Sequence, residues 1–90
     1  MGFQPNMLVE EDYGRADWNE RRRFGRVVKD HPISGRVTVR WIGRFGDPEG
    51  PVIMDAYYEG FKTVVKGDSL APPSIQAIKV VKAAEEQIDA

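Results

Sequence analysis

Apolar and polar positions alternate most cleanly over Arg36–Ile42, RVTVRWI. Val37, Val39 and Trp41 fall to one side of an extended chain, and Arg36, Thr38 and Arg40 to the other. A period of two built from β-branched and aromatic residues predicts a half-buried strand. The run Phe24–Lys29 before it is a second β-rich stretch. Asp30–Gly35 lies between the two and carries turn residues at both ends, so the pair predicts a β-hairpin. Pro51–Glu59 predicts a third strand, with Val52, Met54, Ala56 and Tyr58 on one face and Ile53, Asp55, Tyr57 and Glu59 on the other. Glu59-Gly60 predicts a two-residue turn into a fourth strand, Phe61–Lys66, in which Phe61, Thr63 and Val65 oppose Lys62, Val64 and Lys66. The expected core is Val37, Val39, Trp41, Val52, Met54, Tyr58, Phe61 and Val65.

The segments around these strands lose the alternation. Gly43–Gly50 holds three glycines and a proline in eight residues and predicts a loop. Phe45 within it is either tucked under that loop or displayed to a ligand. Met1–Arg15 has no periodicity and predicts an extended arm without regular structure, with Glu10, Glu11 and Asp12 as a solvated acidic cluster. Asp17–Arg23 predicts a short helix capped by Asp17 and Glu20, anchored by Trp18, with Arg21, Arg22 and Arg23 at the negative end of its dipole. Leu70–Pro73 predicts an apolar closing turn. Ser74 is an N-cap for a helix over 74–90 whose buried stripe would be Ile75, Ile78, Val81, Ala84 and Ile88. A short strand at Ile75–Val81 is the alternative.

The stretches FGRVVKDHPISGRVTVRWIG, YYEGFK and VVKGDSLAPP follow one another as strands and turns. In that order they resemble the SH3-like small β-barrels, the KOW and Tudor-type relatives among them, over residues 24–73. An OB-type barrel is the rival, with Ile75–Val81 as its fifth strand. The resemblance implies a mainly β fold: a small SH3-like barrel of four to five antiparallel strands. An N-terminal arm (1–23) precedes the barrel (24–73), and a C-terminal helix (74–90) follows it.

Composition narrows the chemistry. With 90 residues the chain buries only about 60–65 % of its unfolded surface. It has no cysteine, so no disulfide or thiolate metal site is available. No apolar run reaches the roughly 18 residues of a membrane span. Met1–Met7 lacks the basic start and apolar stretch of a secretory signal, so a cytoplasmic or virion-associated location is expected. The net charge of −1 conceals a strong segregation. Residues 1–20 hold five acids against one Arg, whereas residues 21–44 hold seven Arg and one Lys against Asp30.

Catalytic motifs fail on inspection. Gly67-Asp68-Ser69-Leu70 spells the GDSL string of an esterase family, but the chain's one histidine, His31, precedes it, and no Asp-x-x-His follows. His31 with scattered carboxylates does not make a zinc set. No catalytic residue, metal or cofactor is therefore expected. The candidate binding set is Arg21, Arg22, Arg23, Arg26, Arg36, Arg40 and Arg44, with Phe45 and Tyr57 as aromatic partners. Arg36 and Arg40 lie about 13 Å apart on one strand face. Such a set either pairs with the chain's own acids or meets a partner. The leading expectation is a non-catalytic interaction or assembly module that self-associates or joins a protein partner, as a subunit of a virion or other complex. The alternative is nucleic-acid binding through the basic hairpin. No membrane partner is expected.

Overall fold

A computed structural model of the chain describes residues 2–12, 22–46, 50–54 and 61–89. Six antiparallel strands form one sheet: β1 Leu8–Glu11, β2 Arg23–His31, β3 Arg36–Gly46, β4 Gly50–Ile53, β5 Lys62–Lys66 and β6 Leu70–Ala71. A helix, α1, follows at Ile75–Asp89. The strand order is β4-β3-β2-β1-β6, with β5 also paired to β3. Among the described residues β6 does not pair with β4 or β5, so the hydrogen-bonded sheet is open. No helix among them is long and apolar enough to cross a membrane.

The β2–β3 hairpin forms where the alternation places it. Its turn closes with Gly35, whose φ of 71° is a left-handed conformation that costs glycine little. Val37, Val39 and Trp41 are fully buried. Two irregularities then reverse the pattern. The β2–β3 register slips between Phe24 and Gly25 and between Val27 and Lys29. The first slip leaves Ile42 as an extra residue in β3, the arrangement of a β-bulge. Phe24 and Ile42 fall by plain alternation on the face that carries Arg36 and Arg40, both fully buried there against α1, and the slip turns Arg44, beyond Ile42, to the other face. One core, on the other face, joins Val9, Val27, Val37, Val39 and Trp41. The second lies under the helix and joins Phe24 and Ile42 to Ala77, Val81 and Ala84.

Several expectations are corrected. The arm is not irregular: Leu8–Glu11 is a strand that pairs with β2 and with β6. Glu10 and Glu11 are not solvated; they are 7 % and 1 % exposed, because arginines and a helix N-terminus neutralise them there. The expected loop at Gly43–Gly50 is strand as far as Gly46 and again from Gly50, since close approach to Phe24 and Val52 requires a residue without Cβ at Gly43. The third strand begins at Gly50 and ends at Ile53. Residues 55–60, through which the expected hairpin into the fourth strand would run, lie outside the described residues; β4 and β5 each pair with β3, at opposite ends. Phe61 is 38 % exposed rather than core, and Val52, Met54 and Val65 are only half-buried. Leu70–Ala71 is a short strand against β1 rather than part of a closing turn.

The C-terminal segment is helix at Ile75–Val81, not strand, and the Ser74 cap forms: the Ala77 N–H donates to Ser74 Oγ at 3.2 Å. Its buried stripe, however, is Ala77, Val81 and Ala84. Ile75 and Ile78 are 71 % and 43 % exposed, because small alanines let the helix lie closer to the sheet than isoleucines would. The end of the expected Asp17–Arg23 helix is strand, since β2 already starts at Arg23. The rest of that helix with Trp18, the Glu59-Gly60 turn, Tyr58 and the side chain of Ile88 lie outside the described residues.

The bulge makes two glycines obligatory. A Cβ on Gly25 would sit 2.2 Å from the Arg40 carbonyl oxygen, and one on Gly43 would sit 2.5 Å from that of Val52. Gly25→Ala and Gly43→Ala should each cost at least about 1–3 kcal/mol, the usual penalty of forced overpacking. Denaturant midpoints check this; wild-type midpoints for both variants would show that the bulge relaxes freely.

Candidate anion-binding face

The hairpin arginines divide into those used inside the fold and those left on its surface. Arg23 is used inside. Its Nε and Nη2 donate to Glu11 Oε1 and Oε2 at 2.9 and 2.8 Å, and its backbone N–H also donates to Oε1. Its guanidinium lies 4.2 Å from the centre of the Trp41 ring. This bidentate geometry over an aromatic ring is one that Arg forms and Lys does not. Arg22 faces Glu10 at 3.6 Å and lies 5.0 Å over the Phe45 ring. Phe45 is half-buried edge-on to Phe24, so it is tucked in rather than displayed. Arg26 donates to both oxygens of Glu85 on α1, at 2.7 and 2.8 Å, and to the Asn6 carbonyl.

Arg36 and Arg40 remain on the open part of the sheet, beyond the helix. The register supplies their neighbours: Arg36 faces Lys66 on β5 and His31 on β2, Arg40 faces Lys62 and Arg26, and Thr38 faces Val64 and Lys29. Residues directly opposite in an antiparallel ladder share a face. One face therefore carries Arg26, Lys29, His31, Arg36, Thr38, Arg40, Lys62, Val64 and Lys66. Among the described residues, Lys29, Arg36, Lys62 and Lys66 are exposed and no acid pairs with them. Arg40 is half-buried and close enough to Glu85 to help hold that carboxyl low. His31 Nε2 and Thr38 Oγ1 share a hydrogen bond of 2.8 Å across the same face.

Two pairs on this face, Arg36 with Lys66 and Arg40 with Lys62, set like charge directly against like charge, whereas Glu85 lies against the third, Arg26 with Arg40. Such pairs have Cβ atoms about 4.5–5.5 Å apart and are destabilising, by analogy with the roughly 0.2–1 kcal/mol of favourable pairs. At the hairpin end the face meets an open cleft of about 700 Å³ whose lining includes Arg36, Lys66, Asp30, Asp68, Phe3 and Val37.

Of the expected binding residues, then, Arg36 and Arg40 stand together on the open face, and Arg26 stands at its helix side, ion-paired. Arg22 and Arg23 serve the interior. Arg44 is exposed, but its register with Arg23 puts it on the opposite face, beyond the bulge. Arg21 and Tyr57 lie outside the described residues. Lys29, Lys62 and Lys66 are functional candidates that the sequence did not single out. The alternation of Lys62, Val64 and Lys66 was visible, but only the pairing with β3 sets it beside the arginines. Ser69 of the GDSL string sits in a 3₁₀ turn, where its hydroxyl donates to the Lys66 carbonyl at 2.7 Å; that is a structural role. The chain shows no significant match to any family model, curated protein or solved structure.

Two outcomes follow from the paired acids. Glu11→Ala should cost toward the lower end of about 3–5 kcal/mol by stranding the Arg23 guanidinium, read as a lower urea midpoint by tryptophan fluorescence. The hydrogen bond from Arg26, with its charge, holds the Glu85 carboxyl below the ordinary carboxylate range against a smaller opposing effect of burial. A depressed carboxyl contributes stability that is complete above its unfolded pKa and lost as pH falls through the folded one. Wild type should therefore melt above Glu85→Gln at neutral pH, and the two curves should converge in acid below the carboxylate range.

Proposed function

We propose that this chain is a non-catalytic assembly module that docks an anionic macromolecule on the β2–β3–β5 face, as a subunit of a virion or another multi-component complex. The single observation carrying the reading is the like-charge register on that face. Four exposed cations have no acid partner among the described residues, and two cross-strand pairs, Arg36 with Lys66 and Arg40 with Lys62, oppose cation to cation. A fold gains nothing from such an arrangement by itself, whereas a docked anion converts each repulsion into attraction. Exposed Val64, between Lys62 and Lys66, gives the face a small apolar centre. The SH3-like reading belongs to the same proposal. Its support is the long, twice-bulged β2–β3 hairpin with short strands on either flank, because bulges add the coiling from which small barrels are built.

The test uses an effect of opposite sign with and without the anion. Without polyanion, Lys66→Gln and Lys62→Gln should each stabilise the protein by up to about 1 kcal/mol, by relieving a like-charge pair. With heparin added, the wild-type melting temperature should rise by several degrees, and the double variant should lose most of that rise. An equal rise in both proteins would overturn the proposal.

A further inference from the structure

We infer that the anion this face docks is the sugar–phosphate backbone of a nucleic acid, held without reading of the bases. The inference rests on the docking reading above and names its partner. Arg36, Thr38 and Arg40 follow one another along one face of β3, about 7 Å apart at each step. That step is close to the separation of successive phosphates along an extended nucleic-acid strand. At each end of the row a second cation stands abreast, Lys66 beside Arg36 and Lys62 beside Arg40. Two cations abreast suit a group with two anionic oxygens, which a carboxylate and a phosphodiester both have, and the repeat of about 7 Å along the row is what favours the phosphodiester chain. Thr38 contributes a neutral donor between them: when His31 Nε2–H donates to Thr38 Oγ1, the hydroxyl proton is left to a ligand.

Among the described residues no acid forms an ion pair with Arg36, Lys62 or Lys66, although Asp30 and Asp68 line the cleft beside Arg36 and Lys66 and Glu85 lies near Arg40. Glu10 and Glu11 are turned inward to Arg22, Arg23 and the start of α1, and Glu85 is held by Arg26. The face carries six basic side chains and Glu85, within a chain of net charge −1. The rest of the protein thus holds six more acids than bases, which would confine a polyphosphate to this one surface. Among the described residues the ring this face carries, His31, is half-buried and hydrogen-bonded to Thr38. Trp41 is buried, and alternation places Phe61 on the opposite face with Thr63 and Val65. Contacts are therefore to phosphate, which positions a strand but carries no sequence information.

The experiment is fluorescence anisotropy with a labelled mixed-sequence DNA duplex and the matching single strand, titrated over a range of salt, with poly-glutamate as a competitor. Wild type should bind DNA with a log-affinity against log-salt slope of about −4, as expected for four to five phosphate contacts, and a shuffled sequence should bind alike. Arg36→Gln, Lys62→Gln and Lys66→Gln should each reduce that slope by roughly one. Arg44→Gln, on the other face, should leave it unchanged. Poly-glutamate competing as well as DNA of equal charge would overturn the nucleic-acid inference and leave the docking reading standing. Failure of heparin, DNA and poly-glutamate alike to bind would overturn both. An unchanged slope in all three variants, with circular dichroism showing them folded, would also overturn the inference.

Discussion

The buried carboxylate of Glu11 is the constraint on which much of this fold depends. An acid that is 1 % exposed survives only if its charge is answered in place. Arg23 answers it with two side-chain hydrogen bonds and a backbone one, while its guanidinium lies over the Trp41 ring. Three requirements meet there. β1 must lie beside β2 for Glu11 to reach Arg23. β2 must begin at Arg23 for the backbone donor to be in place. Trp41 must be held still, which its indole N–H does by donating to Thr63 Oγ1 on β5 at 2.7 Å. One ion pair thereby ties the N-terminal strand to the central hairpin, and through Trp41 to β5.

The neighbouring Glu10 does a similar job on the other face. It accepts the Ser74 N–H at 3.1 Å and faces Arg22, so it anchors the first turn of α1 to β1. An acid at a helix N-terminus is also favoured by the helix dipole. The helix then lies over Phe24 and Ile42 and ends its contact at the Arg26–Glu85 pair. Polar contacts at both ends bracket an apolar centre of small residues, which sets how far the helix reaches along the sheet and where the bare sheet begins.

The same economy of charge shapes the surface. Arginines close to the acids are consumed in building the fold. Cations farther along the sheet, past the helix, are left facing one another. Repulsion there lowers stability in a small domain whose margin is narrow. A surface that costs stability yet sits on the most regular part of the sheet is the pattern expected of a working face rather than of a packing accident.

What the sequence determined by itself was local. The Val37-Val39-Trp41 alternation, the turn before Arg36, the Lys62–Lys66 strand and the Ser74 cap are all set by neighbours within a few residues, where period and turn chemistry act directly. The partition of the charges was only half legible: the segregation was plain, but not which arginine would meet which acid. β1 was hidden because Leu8-Val9-Glu10-Glu11 has two apolar residues followed by two acids, which no period of two describes; each face of that strand takes one of each. The bulge at Ile42 and the closeness of Gly43 to Phe24 were hidden because a register slip leaves no local mark. The basic face itself was decided by tertiary structure alone. Lys62 and Lys66 lie more than twenty residues from Arg40 and Arg36, and only the pairing of β5 with β3 brings the four together. Long-range strand pairing depends on which buried groups can be satisfied at once, and that is a property of the whole chain rather than of any window along it.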